Sequence, residues 1–437
     1  MSESIDPREA LSRAPMTSMQ ILVVAITVLL NALDGFDVLA IAFAAPGIAA
    51  EWSIDRAALG FVLSMELVGM GLGSIVLGGV ADKIGRRRTI LGCLAIMAIG
   101  MFMATTVRGV ADLSFWRVIT GLGIGGMLAS INAVAAEFSN LKRRHLSVSL
   151  MTIGYPIGAV VGGMITAKLL QSYDWRSVFY FGSAVTAACI PLVFFLVPES
   201  IHWLVRKQPA GALERANHSL ERMGHAAVAE LPVIHEDEEK KSLGDIFGTQ
   251  LRTATMVVTA AYFFHIMTFY FLIKWVPKIV VDLGFEPSLA AGVLVWTNVG
   301  GATGGAILGI LTQRYSVKWL TVGAMLVSVV MVVMFGRTAP DLTQLSMICL
   351  LAGFCTNGAI VGLYAIFAHA FPTHVRAFGT GFAIGVGRGG AALAPFLAGL
   401  LFVAGYNLPN VALLMAMGSL VAAGVLLVLK LAPDGAD

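Results

Sequence analysis

Charge is what this chain has least of. Only 13% of its 437 residues are Asp, Glu, Lys or Arg, about half the share of a typical soluble domain. That shortage excludes an ordinary water-soluble protein of this size. Cysteine is also scarce. Cys93, Cys189, Cys349 and Cys355 all lie in apolar stretches without CxxC or Cys/His spacing, which excludes a zinc site or disulfide framework and reads as small buried hydrophobes. The net charge is only +3, so no nucleic-acid partner is indicated. No metal-ligand cluster, nucleotide loop or nucleophile–base arrangement is visible, so neither an enzyme nor a metal or cofactor is expected. The glycine runs lack the strand–loop–helix setting of nucleotide binding.

What remains is apolar: 57% hydrophobic residues, 48 glycines and a mean hydropathy of +0.84. Runs of about 20 apolar residues cross about 30 Å of hydrocarbon, and in lipid such runs must be helical to pair their backbone groups. Twelve are expected, at roughly 19–45, 57–80, 88–107, 111–136, 147–170, 177–198, 253–277, 287–311, 319–336, 343–368, 377–402 and 408–430. The spacing predicts an all-α membrane protein of two pseudo-symmetric six-helix bundles, 19–198 and 251–430. Residues 1–18 and 431–437 form cytoplasmic tails, and 199–250, with its charge run HEDEEKK, forms a cytoplasmic linker. The first apolar run follows a mixed-charge segment without a small-residue cleavage site and reads as a retained helix.

Basic residues set the orientation. Lys83 with Arg86–Arg88, Lys142–Arg144, Arg314 with Lys318, and Arg376 fall in alternate loops, which marks those loops and both termini as cytoplasmic. LGGVADKIGRR (77–87) also aligns with LGILTQRYSVK (308–318) at an offset of 231, and Arg143 and Gly154 align with Arg376 and Gly387 at 233. Two near-equal offsets imply a duplicated unit, as in transporters whose site lies between repeats.

The polar residues inside the spans point to function, because an intramembrane charge is costly and usually functional. Thr27, Asn31, Asp34 and Asp37 share an arc of about 120° on the first span, with Asp34 roughly 15 Å and Asp37 roughly 10 Å below its outer end. Arg117, about 8 Å below the outer end of the fourth span, is the expected partner of Asp37. Asp34 is the expected proton site, and Glu66 on the second span is its rival or a partner to another helix. Arg388, mid-span among Gly385, Gly387, Gly389 and Gly390, suits a substrate carboxylate through two parallel hydrogen bonds; a structural contact is the alternative. His265 either relays protons, bonds a ring hydroxyl or packs. Asn298 lies at similar depth, and Asn357 either donates to substrate or bridges helices. Tyr155, Tyr270, Trp296 and Tyr364 are candidate ring-stacking walls. Lys274 is expected to snorkel outward.

GGVADKIGRRRTI (78–90) combines glycines, Asp82, Lys83, Arg86 and Arg87 in one loop. It suits a latch for one conformational state that also fixes topology. Glu137, beside Lys142 and Arg143, suits a gate or anchor. This loop resembles the G-x-L-A-D-R-x-G-R-R motif of the major facilitator superfamily, with Val80 and Lys83 as variants. RVITGLGIGG (117–126), GYPIGAVVGG (154–163), VPESIHWL (197–204) and FPTHVRAFGTGFAIGVGRGG (371–390) resemble its further motifs. DGFD (34–37) resembles the D-G-Y-D motif of the aromatic acid:proton symporter family, with Phe36 in place of Tyr. Sugar porters carry a related G-Y/F-D, but Asp34 is additional here and the LAPDGAD tail lacks their P-E-T-K-G signature. The resemblance implies that spans 1 and 4 line a central cavity. It also implies proton-driven import of a hydroxybenzoate-like acid across a bacterial inner membrane, with only that acid, protons and lipid as partners and a monomeric chain. A porter for sugars, polyols or non-aromatic acids, and a non-transporting nutrient sensor, are the alternatives.

Overall fold

The computed structural model describes residues 6–232, 243–248, 251–372 and 375–429. The elements described there are helices. A short α1 (Pro7–Arg13) precedes α2 (Ser18–Trp52), α3 (Arg56–Ile84), α4 (Arg86–Met103), α5 (Val110–Glu137), α6 (Arg144–Leu169) and α7 (Arg176–Leu196). Three short helices follow: α8 (Ile201–Lys207), α9 (Ala212–Arg222) and α10 (Leu243–Phe247). The chain continues through α11 (Arg252–Asp282), α12 (Pro287–Leu311), α13 (Val317–Phe335), α14 (Leu342–Ala370), α15 (Arg376–Val403) and α16 (Leu408–Leu427).

Eleven helices among the described residues are long and apolar enough to cross a membrane. The remaining expected span, 88–107, is α4, only 18 residues long and opening on Arg86, Arg87 and Arg88, which dilute its apolar run. Local signals fix several starts. Thr17 and Gln20 form a reciprocal capping box on α2, and the Asp55 carboxylate accepts the Ala58 N–H at 2.7 Å to begin α3. The first span outruns its expected end at 45, continuing through Pro46 to Trp52. Asp34 and Asp37 therefore sit about 27 and 22 Å from that end, deeper than the sequence implied.

The expected tail 1–18 is partly folded: Leu11 is buried, and Leu141 N–H donates to Ser12 O at 3.0 Å. The 199–250 stretch contains α8, α9 and α10, while its HEDEEKK run and residues 431–437 lie outside the described residues.

The packing repeats along the chain. α2 packs on α6 and α7, α3 on α5, and α4 on α5 and α7; likewise α11 packs on α15 and α16, α12 on α14, and α13 on α14 and α16. Between the two sets, α15 packs on α3 and α12 on α6. Backbone-to-backbone approach makes these contacts. A Cβ on Gly158 would lie 1.6 Å from the Ala32 carbonyl oxygen, and one on Gly35 would lie 2.0 Å from that of Tyr155. Small residues at such crossings replace the hydrophobic drive that lipid does not supply. Gly158→Ala is therefore expected to force α6 off α2 and lose about 1–3 kcal/mol, read as thermal unfolding in detergent. Gly424→Ala, where an added Cβ meets nothing within 4 Å, is expected to lose none.

The two sets are sealed at the end that lacks the arginine-rich loops. Arg56 of α3 pairs with Asp282 of α11 at 2.9 Å and stacks over Phe402 of α15 at 4.6 Å. Among the described residues, the polar side-chain contacts between the sets are those of Arg56 and Lys274. Large apolar side chains such as Ile75, Phe195, Ile310 and Val428 remain exposed on the helices, as a lipid-facing surface requires.

Candidate functional site

The acids and bases of the spans collect in one buried cluster. Glu66, on α3, is fully buried and held from two sides. Its Oε1 accepts from Arg117 Nη2 of α5, and its Oε2 lies 3.1 Å from Lys274 Nζ of α11. Lys274 also donates to the Val38 carbonyl of α2, so it crosses from one helix set to the other. This corrects two expectations. Lys274 does not snorkel outward; it is wholly buried, because Glu66 and a carbonyl offer the ammonium partners that lipid does not. Arg117 does not pair with the Asp37 side chain. Its guanidinium meets Glu66, Met101 Sδ at 3.1 Å and only the backbone carbonyl of Asp37 at 3.3 Å.

Among the described residues neither the Asp34 nor the Asp37 carboxylate has a hydrogen-bond partner, although both are buried. Thr186, beside Asp37, directs its hydroxyl to Gly182 O at 2.8 Å. The rest of the expected stripe faces inward too: Asn31 Nδ2 donates to Met151 O at 2.7 Å, and Thr27 is buried. An unpartnered ionised carboxylate in such a place costs several kcal/mol or more, so these two positions call for a proton or a counter-charge.

The available counter-charge is Arg388. It is half-buried near the middle of α15, and among the described residues it forms no ion pair or hydrogen bond. Asp34 of α2, Tyr155 of α6, and Tyr262 and Tyr270 of α11 lie within reach of its charge. Tyr262 hydroxyl lies 3.2 Å from that of Tyr364. The structure thus brings Arg388, Tyr155, Tyr270 and Tyr364 to one place and adds Tyr262. The sequence offered one signal for that addition: Tyr262 precedes Tyr270 by eight residues, so both fall on one face of α11.

Other expected residues lie elsewhere. His265 is buried with both ring nitrogens engaged: Nε2 donates to Thr356 O at 2.9 Å, and Nδ1 accepts from Ser419 at 2.9 Å, a tautomer assigned from those partners. It is a helix bridge, with neither nitrogen open for a relay. Asn357 also bridges, donating to Gly301 O of α12 at 2.7 Å. Asn298 donates to Leu294 O of its own helix at 2.8 Å. Trp296 is half-exposed, as is Tyr364, whereas Tyr155, Tyr262 and Tyr270 are buried or half-buried.

A sequence profile describing the Major Facilitator Superfamily matches residues 27–297 and 258–436. The chain belongs to the major facilitator superfamily. It is accordingly a multi-pass membrane protein and a small-molecule secondary transporter, not an enzyme. A gallate transporter of Pseudomonas putida is 27% identical over 423 residues, covering 96% of this chain and 94% of that protein. The 4-hydroxybenzoate transporter PcaK of the same species is 28% identical over 416 residues, with coverage of 94% and 92%. A 3-(3-hydroxy-phenyl)propionate transporter of Escherichia coli K12 is 29% identical over 419 residues, with 94% of each chain covered. Among solved structures, the inward-open xylose transporter XylE from E. coli superposes with a TM-score of 0.72 at 16% identity, covering 95% of this chain and 98% of that one. That likeness is one of fold.

The loop motif of this superfamily member forms a second polar cluster at the arginine-rich end. Gly85 has φ +108°, and a Cβ there would lie 2.3 Å from Glu199 Oε2. This opening lets Glu199 cap α4: its Oε1 accepts the N–H groups of Arg86 at 2.9 Å and Arg87 at 3.2 Å. Arg86 pairs with Asp82 at 2.8 Å and approaches Glu137 at 3.6 Å, and Ser200 Oγ donates to Glu137 at 2.5 Å. Arg87 donates to Phe194 O. Lys83 is exposed, and Arg143 N–H is capped by Asn140 Oδ1 at 3.0 Å. Glu199, within VPESIHWL, is an acid of this cluster that the sequence did not single out, since only the fold returns it to α4.

Proposed function

We propose that the protein imports an aromatic carboxylate together with a proton, by alternating access between bundles 19–198 and 251–430, with twelve spans and both termini in the cytoplasm of a bacterial inner membrane. The observation that carries this reading is Arg388: a mid-span guanidinium without a counter-ion among the described residues, whose charge reaches Asp34, Tyr155, Tyr262 and Tyr270. Arg binds carboxylate through two parallel hydrogen bonds, and Tyr155, Tyr262, Tyr270 and Tyr364 offer ring faces and hydroxyls. Relatives named for gallate, 4-hydroxybenzoate and a hydroxyphenyl propionate support the aromatic class. The Arg56–Asp282 pair, at the end opposite the arginine-rich loops, supports reading this as the inward-facing state.

The proton follows from charge balance. Asp34, Asp37 and Glu66 face Arg117, Lys274 and Arg388. A bound carboxylate adds one negative charge, and one proton on Asp34 or Asp37 restores the balance before the site closes. The expected transport is one proton per monocarboxylate and electrically neutral. Asp82, Arg86, Arg87, Glu137 and Arg143 act as the latch at the cytoplasmic end.

Uptake into proteoliposomes tests the proposal. Benzoate-type acids should accumulate with an inward proton gradient, sugars should not compete, and an imposed potassium–valinomycin potential should leave the rate unchanged. Accumulation of a sugar, or of acids by a protein lacking both carboxylates through Asp34→Asn and Asp37→Asn, would contradict it.

A further inference from the structure

A cleft of about 760 Å³ lies outside this site, where α4 and α7 meet the amphipathic α9. Arg87, Arg88, Arg215 and Arg222 line it. None of the four guanidiniums pairs with a carboxylate among the described residues. Arg222 donates to Phe195 O at 2.6 Å, Arg87 to Phe194 O, and Arg215 sits over the Trp203 ring at 5.6 Å. Three acids also line the cleft. Glu199 is committed to the backbone of Arg86, Arg87 and Ser200, while Glu214 and Glu221 are exposed. Arg215 and Arg222, seven residues apart, stand on one face of α9.

Four guanidiniums converging without carboxylate partners form an anion site, and Arg favours phosphate through its planar fork. Its position decides the source of the anion. Phe194 and Phe195, 49% and 67% exposed, end α7 immediately beside the cleft, where an acyl chain would run down the helix bundle. A soluble phosphate would make no use of them.

We propose that this cleft holds the headgroup of an anionic phospholipid of the cytoplasmic leaflet, with the acyl chains against Phe194 and Phe195. The lipid would tie α9 to the ends of α4 and α7, which is where the latch lies.

The test is native mass spectrometry of the full chain in mild detergent, titrated separately with phosphatidylglycerol, phosphatidylcholine and inorganic phosphate. Phosphatidylglycerol should bind in preference to phosphatidylcholine, and Arg88→Gln with Arg215→Gln should weaken it about tenfold to thirtyfold. Arg108→Gln with Arg337→Gln, at the other end of the molecule, should not. Arg88→Gln alone, at an exposed position, gives a smaller loss in a variant that keeps its fold. Equal binding of the two lipids, an unchanged affinity in folded Arg88 and Arg215 variants, or phosphate binding as tightly as the lipid would each overturn the assignment.

Discussion

Arg388→Gln should weaken binding of an aromatic carboxylate by roughly 30-fold to several thousand-fold, the equivalent of about 2–5 kcal/mol for removing one partner of a desolvated, hydrogen-bonded charge pair. Arg388→Lys should recover only part of this. Lysine keeps the charge but not the planar fork, and its ammonium is more strongly hydrated. Isothermal titration with 4-hydroxybenzoate in detergent reads the affinity directly. The position should tolerate substitution structurally, because Arg388 is half-buried and has no partner to abandon among the described residues. Unaltered affinity in Arg388→Gln would remove the carboxylate site from α15. A matching loss of uptake with intact folding would separate a binding defect from instability.

The second large effect concerns Glu66. Glu66→Gln leaves the buried Arg117 and Lys274 without a shared carboxylate and is expected to destabilise the protein by about 3–5 kcal/mol, the usual cost of breaking a buried ion pair from one side. Adding Lys274→Met should return part of that stability, since one stranded charge is removed together with its desolvation cost. Thermal unfolding of the wild type, the two single variants and the double variant forms a cycle whose non-additivity measures the coupling. Additive losses would show that Glu66 and Lys274 do not act as a pair. Because Lys274 spans both helix sets, Lys274→Met should also loosen the seal made by Arg56 and Asp282. Faster cysteine labelling at that end would report it.

The residues differ in how far sequence alone reaches. The stripe of Thr27, Asn31, Asp34 and Asp37 was legible, because helical periodicity and the cost of charge in lipid both act within one span. Arg388 was legible for the same reason, together with its small neighbours. Partner choice was not. Arg117 and Asp37 were matched by estimated depth, yet depth fixes one coordinate and leaves rotation and helix neighbours open. α3 supplies Glu66 between α5 and α11, and that carboxylate takes both cations. Lys274 illustrates the same limit: a lysine within several residues of a helix end reads as a snorkeller until a buried acid is known to face it. His265 and Asn357 had open alternatives, and only the fold shows the hydrogen bonds they make to α12, α14 and α16.

What the sequence by itself determined is that this chain lives in lipid, folds as helices, repeats a structural unit and buries ionisable groups inside it. Composition, run length and local periodicity suffice for that, because each span must satisfy its own backbone. Tertiary structure alone decided which buried charges neutralise one another, leaving Asp34, Asp37 and Arg388 without partners among the described residues. Ion pairing depends on distances of a few ångströms between helices far apart in the chain, and those distances exist only after the helices have packed.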